Sequence, residues 1–228
     1  MLLFHKHKNS ILKPLIVFLF IMVSPHVLAQ ETTNIMESPE PEKRISPGGL
    51  FVEPLLTFSR EDASIKTSQL PAISDDTSGN TQGLGIGARL GVHASEMIFV
   101  GVDGRYARTK ITDSAYGEAD ANGYNLAPTV GVQMPIAGLR VWAGYVVLGE
   151  TNPEAGTKGF NVRFTEPQGP RVGLGVHLGP VSLNLEYQDL KYNKTKIESY
   201  GLISSTGESN VDYDTRGYTA SLSFPMEL

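Results

Sequence analysis

Residues 83–106, GLGIGARLGVHASEMIFVGVDGRY, contain the pattern that decides the fold. Aliphatic residues recur at every second position on both sides of a short break at residues 95–97, and glycine, polar or charged residues fill most positions between them. Successive side chains of a β-strand point to opposite faces, so an alternation of this length predicts two strands joined by a tight turn. Each of these strands would have one aliphatic face and one face of glycine and polar residues.

The same alternation recurs along the chain from residue 50 onward. Most of the runs come close to the about 9–11 residues that a tilted membrane strand needs. The eight runs are residues 50–59, 84–93, 98–106, 124–134, 139–147, 171–178, 181–188 and 218–224.

The connections between these runs alternate strictly in length. Residues 95–97, 135–138 and 179–180 are short connections, whereas residues 60–81, 109–122, 149–170 and 190–215 are long ones. Outer-membrane barrels have short periplasmic turns and longer outer loops. With both termini in the periplasm, the number of strands is even. The sequence therefore predicts an all-β fold: an eight-stranded antiparallel transmembrane up-and-down β-barrel with short periplasmic turns and long extracellular loops.

A soluble exported barrel of the lipocalin type is the alternative fold. Such a barrel buries its aliphatic face inside, and it does not need short and long connections in alternation. Aromatic residues favour the membrane barrel, because six of them lie on the aliphatic face at one height near the long connections. Membrane proteins place aromatic residues at this interface, although strands favour aromatics in general. The predicted aromatic girdle comprises Phe58, Tyr106, Tyr124, Tyr145, Tyr187 and Tyr218, with Phe224 at the inner interface.

The opposite face of the runs carries charges of both signs. An eight-stranded barrel has an interior just wide enough for its own side chains. Aligning the strands at the first short turn places Arg89 opposite Asp103, within reach of a cross-strand pair. We therefore predict an ion-pair network that fills the lumen, with a narrow ion pathway as the alternative. The network comprises Glu53, Arg89, Asp103, Arg105, Arg140, Arg171 and Glu186.

These features resemble the small outer-membrane barrel superfamily that includes the OmpA/OmpX-like proteins. The resemblance covers residues 49–224 by architecture. Its sequence cue is residues 215–224, TRGYTASLSF, in which a polar residue, a glycine and alternating apolar residues lead to a terminal aromatic. Four further residues, 225–228, depart from the family pattern. The resemblance implies insertion by the barrel-assembly machinery, contact with outer-membrane lipids, and roles in adhesion, envelope stability, defence or, rarely, lipid enzymology. Fold alone does not choose among these roles.

The first residues have the three parts of a secretory signal peptide. Three lysines precede a short apolar run at residues 15–23, and cleavage between Ala29 and Gln30 fits the usual pattern. The apolar run is shorter than the roughly 20 residues of a membrane helix, which disfavours the alternative of an uncleaved anchor. No cysteine follows the cleavage site, so a lipoprotein anchor is excluded.

The mature chain is predicted to have two parts. Residues 30–48 hold three prolines among charged and small polar residues, which is typical of an unstructured periplasmic segment, and residues 49–228 form the barrel domain. Cleavage would remove three lysines and no acids, which changes the net charge from −5 to −8. An acidic chain disfavours a nucleic-acid partner. The chain has no cysteine, and a closed barrel supplies stability without disulfides because it leaves no strand edge unpaired.

Signals for enzymatic chemistry are weak. His93 and Ser95 have the His-x-Ser spacing of lipid A deacylases with this architecture, but they lie beside a periplasmic turn while lipid A is in the outer leaflet. A carboxylate would also be needed to orient the histidine. No residue spacing suggests a metal site, and the Gly-x-Gly pattern at residues 83–85 opens no helix. We therefore expect no enzymatic activity, no metal and no cofactor.

The long loops are the candidates for function, because binding residues concentrate on loops held by a rigid scaffold. The first carries Glu61 among other acids, and the fourth carries three lysines. In the third, Phe160, Val162 and Phe164 share the parity of the strand that follows, which predicts a projecting hairpin arm. We expect a monomeric, non-enzymatic surface protein whose loops meet an extracellular ligand or host surface, or that maintains the envelope. A small pore and an outer-membrane lipid enzyme are the alternatives.

Overall fold

The computed structural model describes residues 48–66, 77–113, 117–134, 138–154, 160–200, 207–209 and 212–228. The predicted signal peptide, its cleavage site at Ala29 and Gln30, and residues 30–47 of the predicted periplasmic segment lie outside the described residues. In the part of the chain that the structure covers, no helix is long and apolar enough to cross a membrane.

The described residues form eleven β-strands. The strands are β1 (Leu50–Lys66), β2 (Thr77–His93), β3 (Ile98–Asp113), β4 (Gly117–Gln133), β5 (Leu139–Val146), β6 (Leu148–Pro153), β7 (Phe160–Leu178), β8 (Val181–Tyr200), β9 (Gly207–Ser209), β10 (Asp212–Ser223) and β11 (Met226–Glu227).

These strands form one antiparallel sheet that closes into a ring. β1 pairs with β2 on one side and with β10 on the other, which leaves no open edge at the seam. β5 and β6 both pair with β4 and with β7, so they are two parts of one barrel strand. β9 pairs with β8 and extends the ladder that β8 forms with β10. β11 pairs with β1 and extends the ladder that β1 forms with β10. The fold is therefore the predicted all-β barrel of eight antiparallel strands.

The short turns set the register that the sequence predicts. Gly179, in the two-residue turn before β8, has a φ of 65°, a left-handed conformation that glycine adopts without steric cost. Across the turn between β2 and β3, Arg89 lies opposite Asp103. Across the turn between β7 and β8, Gly173 lies opposite Glu186.

The aliphatic face of the barrel points outward. Leu84 is 69% exposed, Ile86 60% and Leu174 58%, whereas Arg89 and Asp103 on the opposite face are 0% exposed. This burial pattern is the reverse of that in a soluble barrel with an apolar core, so the structure excludes the lipocalin-type arrangement.

The strands continue beyond the aromatic girdle and occupy much of the predicted long connections. The seven residues after Tyr106, up to Asp113, add roughly 23 Å of strand to β3, at about 3.3 Å per residue. We call the part of the barrel beyond the girdle the outer segment. Many of its outward positions are charged, as in the exposed pairs Arg108–Asp120 at 3.2 Å and Lys110–Glu118 at 2.5 Å.

The interior of the outer segment becomes apolar toward its outer end. Along β1, the inward positions change from Glu53 near the short turns to Ala63 and Ile65 near the outer end. Phe164 and Tyr213 stack there with ring centroids 4.0 Å apart. The inner apolar cluster consists of Ala63, Ile65, Ala127, Val146, Phe164, Leu190, Tyr192 and Tyr213.

The side chain of Phe164 lies on the inner face of the barrel. Its sequence parity matches the outward residues of β7, yet its side chain is buried in the inner apolar cluster. The parity changes at Glu166, which has a φ of 58°, so that Thr165 and Glu166 both lie outside and Pro167 turns inward. On the partner strand β8, residues 193 and 194 are likewise both exposed. An extra residue on each strand therefore reverses the faces.

Candidate functional site

An aromatic layer closes the lumen at the end with the short turns. Phe51 and Phe99 meet edge to face with ring centroids 5.8 Å apart, and Trp142 is buried with them. Glycines on the neighbouring strands make room for these rings. Gly91 lies opposite Phe51, and a Cβ atom at Gly91 would lie 2.6 Å from the Phe51 ring. The inward glycines therefore leave the space that large aromatic rings need inside a narrow eight-stranded barrel.

Above the aromatic layer lies the predicted ion-pair network, which we call the lumen network. The structure brings all seven of its members together, and each is 8% exposed or less. The members are Glu53, Arg89, Asp103, Arg105, Arg140, Arg171 and Glu186.

Asp103 is the centre of the lumen network. Its oxygens lie 3.0 Å from Nη2 of Arg89, 2.6 Å from Nε of Arg105 and 3.1 Å from Nη1 of Arg171. Arg89 and Asp103 are therefore not an isolated pair, because this one carboxylate contacts guanidinium groups from three strands.

Two glutamates complete the contacts. Glu53 accepts hydrogen bonds from Arg89, at 3.3 Å, and from Arg140. Glu186 lies 2.7 Å from Nη2 of Arg105 and 3.8 Å from Nε of Arg171. Because each acid contacts two or three arginines, the network joins the walls of the barrel across its axis.

The aromatic layer and the lumen network are in direct contact at Trp142. The Arg89 guanidinium carbon lies 4.7 Å from a ring centroid of Trp142, and that of Arg140 lies 5.2 Å away. These distances are within the about 6 Å range of cation–π attraction, which is strongest for tryptophan. Together the two layers fill the inner half of the lumen.

Glu61 is a fourth lumen acid that the sequence analysis assigned to the first outer loop. That assignment is wrong, since β1 continues past it and its side chain faces inward. Gln188 Nε2 donates a hydrogen bond of 2.7 Å to Glu61 Oε1. Glu61 lies three residues beyond Phe58, outside the part of β1 between the short turns and the girdle. Burial raises the pKa of its carboxyl, while hydrogen bonding and the charge of Arg171 act in the opposite direction.

A cavity of about 70 Å³ separates the lumen network from the inner apolar cluster. Arg105 and Arg171 line it on the network side, and Leu190, Tyr192 and Tyr213 line it on the outer side. The remaining wall is largely polar and hydroxyl-rich. It includes Thr57, Ser59, Glu61, Thr81, Thr109, Asn125, Thr151, Gln188, Thr215 and Thr219.

The predicted girdle residues all lie on the outer face of the barrel. Tyr106 pairs with Tyr124 across β3 and β4, and Tyr187 pairs with Tyr218 across β8 and β10 with ring centroids 5.3 Å apart. The exposed fractions of Phe58, Tyr106, Tyr124, Tyr145, Tyr218 and Phe224 range from 36% to 60%, and Tyr187 is half-buried.

The structure does not assemble the His-x-Ser residues into a catalytic pair. Ser95 Oγ accepts hydrogen bonds from the backbone N–H groups of Met97, at 3.3 Å, and Ile98, at 3.0 Å. His93 is buried in the lumen, and its Nε2 lies 3.0 Å from Oε1 of Glu227. Each side chain therefore has a local structural partner. Within the described ranges, no cluster of three or more His, Cys, Asp or Glu is suited to hold a metal ion.

The contact between His93 and Glu227 was not predicted from the sequence. Glu227 belongs to β11, which pairs with β1 and places the last residues beside the barrel seam. The backbone N–H of Leu228 donates to the carbonyl of Leu50 at 2.8 Å. The four residues after Phe224 thus extend the closing ladder of the barrel.

No family model matches the chain, and no curated protein matches it. Among solved structures, the chain is similar to the outer membrane protein OprG from Pseudomonas aeruginosa, with 12% identity, 80% of this chain and 97% of OprG covered, and a TM-score of 0.48. It is also similar to Neisserial surface protein A (13% identity, 75% and 96% covered, TM-score 0.38). A third similar structure is the outer membrane protease OmpT from Escherichia coli (8% identity, 79% and 98% covered, TM-score 0.39). At identities and TM-scores this low, the similarities support no conclusion about activity.

Proposed function

We propose that this chain spans a bacterial outer membrane as a barrel with a plugged lumen, and that it is a non-enzymatic anchor presenting its outer segment at the cell surface. The observation that carries the proposal is the burial pattern, with aliphatic side chains outside and a charged network inside. Exposing such a continuous aliphatic belt to water is unfavourable, and lipid chains would remove it from water. The girdle marks the outer boundary of that belt.

The filled lumen favours an anchor over a pore. The aromatic layer and the lumen network occupy the inner half of the barrel interior, where an ion would have to pass. Opening a path there would separate buried charges from their partners, which is strongly unfavourable. The outer segment has an apolar cluster at its outer end and many charged residues on its outer surface, so it is suited to contact water and an extracellular partner.

Lipid contact can be tested with single cysteines, because the chain has no native cysteine. Fluorophores at Val100→Cys and Val130→Cys should be quenched by quenchers attached to lipid tails. Lys110→Cys is the matched control, since Lys110 also points outward on β3 but lies in the outer segment. Quenching at positions 100 and 130 but not at 110 is the expected result. Equal quenching at all three positions, or none at any, would refute the membrane boundary.

Conductance separates the anchor from the small pore. The cavity beside Arg105 and Arg171 is the observation that favours a pore. In planar bilayers, the purified barrel is expected to show no steady unit conductance. A steady unit conductance that changes when either arginine is substituted would favour the pore and overturn the plug.

Surface presentation can be tested with an epitope inserted between Asp113 and Gly117, where β3 and β4 are joined. An antibody should bind this epitope on intact cells. The same epitope inserted between Gly179 and Pro180 is the control and should be detected only after the outer membrane is opened. The reverse result would place the outer segment in the periplasm and contradict the proposal.

A further inference from the structure

The last residues of the chain cover one edge of β1 at the end of the barrel with the short turns. β10 ends opposite Leu55, so residues 50–53 of β1 lie beyond its reach. β11 pairs with this edge at two positions, and the N–H of Leu228 donates a hydrogen bond of 2.8 Å to the carbonyl of Leu50. We call residues 225–228 the strap. Without it, backbone groups of β1 would be left unpaired, which closed barrels otherwise avoid.

One side chain of the strap contacts the interior of the barrel. Nε2 of His93 lies 3.0 Å from Oε1 of Glu227, and the histidine is the donor because a carboxylate only accepts. The His93 ring lies 4.9 Å from the ring of Phe51, which belongs to the aromatic layer. His93 is 5% exposed, whereas the side chain of Glu227 is 30% exposed. The strap therefore lies between His93 and the aqueous space at the short-turn end.

The strap is built to detach without disturbing the rest of the barrel. Regular strand structure is interrupted at Phe224 and Pro225, which join the strap to β10. Proline has no N–H group, so Pro225 donates no hydrogen bond to the ladder. β1 pairs with β10 over residues 55–66 but with β11 at two positions. Segments with few contacts open at a much lower free energy than the sheet that holds them, so the strap can leave β1 while β10 stays paired.

We propose that the strap is a detachable lid, which covers the lumen at the short-turn end and is held closed by the contact between Glu227 and His93. When the lid is closed, His93 is shielded and packs on the aromatic layer. When the lid opens, His93 loses its partner and becomes accessible from the aqueous space. The lumen network above the aromatic layer stays in place in both states. The inference goes beyond the proposed anchor role, because neither state of the lid changes the lipid-facing surface.

Chemical modification of His93 tests whether the lid opens. Diethyl pyrocarbonate reacts with imidazole nitrogens that solvent can reach, and mass spectrometry assigns the product to each histidine. In the wild-type barrel, refolded in detergent at neutral pH, His93 should react much more slowly than His177, which is partly exposed and serves as the internal reference. Glu227→Ala should raise the rate at His93 severalfold and leave the rate at His177 unchanged. Glu118→Ala removes an exposed acid of the outer segment and is the matched control, which should react like the wild-type protein.

A disulfide separates detachment of the strap from the loss of the Glu227 carboxylate alone. Val52 and Met226 are paired across β1 and β11, so Val52→Cys with Met226→Cys can lock the strap in place. Combined with Glu227→Ala, the oxidised form should react at His93 at the slow wild-type rate and the reduced form at the fast rate. Equal rates in the two forms, or no rise in Glu227→Ala, would overturn the lid. If the cysteine variant does not fold, a chain ending at Phe224 decides the question, since a slow rate at His93 without the strap would also overturn it.

Discussion

Replacing Asp103 by asparagine is the sharpest test of the lumen network. Asparagine has almost the same shape as aspartate, so the substitution changes charge with little change in packing. The four arginines of the network would then share its remaining two acids, and the uncompensated positive charge would rise from one to two. Arg89 would keep Glu53, and Arg105 and Arg171 would keep Glu186.

The expected cost follows from the burial of the site. Removing one partner of a buried ion pair costs about 3–5 kcal/mol, because the other charge is left in a confined space. Asp120→Asn is the matched control, since Asp120 pairs with Arg108 at 3.2 Å on the outer face, where both side chains are largely exposed. An exposed pair contributes about 0–1 kcal/mol. Asp103→Asn should therefore destabilise the barrel several times more than Asp120→Asn does.

Urea unfolding in lipid vesicles measures both losses. Trp142 is the single tryptophan of the chain and packs against Arg89 of the network, so its fluorescence reports on this region. The double variant Asp103→Asn with Arg171→Gln should lose less than the sum of its single changes, because it returns the network to its original net charge. Equal losses for Asp103→Asn and Asp120→Asn, or strict additivity of the double variant, would refute the network as described.

Three further changes test other parts of the structure. Val100→Arg on the lipid face should cost about 2–4 kcal/mol near the membrane midplane, whereas Val100→Leu should be nearly neutral in the same folding assay. Gly131→Ala should cost about 1–3 kcal/mol, because the added Cβ atom would overlap the ring of Phe99. Combining it with Phe99→Leu should recover part of the loss, and an unchanged loss would place the strain elsewhere. Because burial raises the pKa of Glu61 in the folded barrel, the stability of the wild-type protein relative to Glu61→Gln should fall as pH rises from the ordinary glutamate range through the raised pKa. Urea midpoints that run parallel across this pH range for the two proteins would contradict that linkage.

The membrane-facing half of the barrel was predicted well from the sequence, because side chains there alternate strictly between the two faces of each strand. With a period of two and a turn of fixed length, one register places the aliphatic residues on one face. That register brings Arg89 opposite Asp103 and collects the seven charges inside. Their detailed partners could not be predicted, because long side chains such as Arg171 reach across the lumen to strands that are distant in sequence.

The predictions for the outer half were less accurate, since the alternation of aliphatic and polar residues is not kept there. Glu61 was assigned to a loop because the aliphatic pattern ends at Phe58, although the strand itself continues. The inward position of Phe164 could not be predicted from parity, because an extra residue at Glu166 reverses the faces. The contact of Glu227 with His93 was missed, since nothing in four residues after the terminal aromatic indicates a further ladder.

The reversal of faces has a physical reason, which follows from the two solvents around one continuous sheet. Inside a membrane the outward face must be apolar, so the lumen holds the polar groups. Beyond the girdle the outward face meets water, so apolar side chains are stabilised inside instead. β1 achieves the change through composition, as its inward positions pass from Glu53 to Ile65 without a break in parity. β7 keeps its apolar residues at even positions throughout, so it needs the extra residue at Glu166 to turn Phe164 inward. The extra residue and the change in composition are therefore two solutions to one requirement, and both lie beyond the girdle.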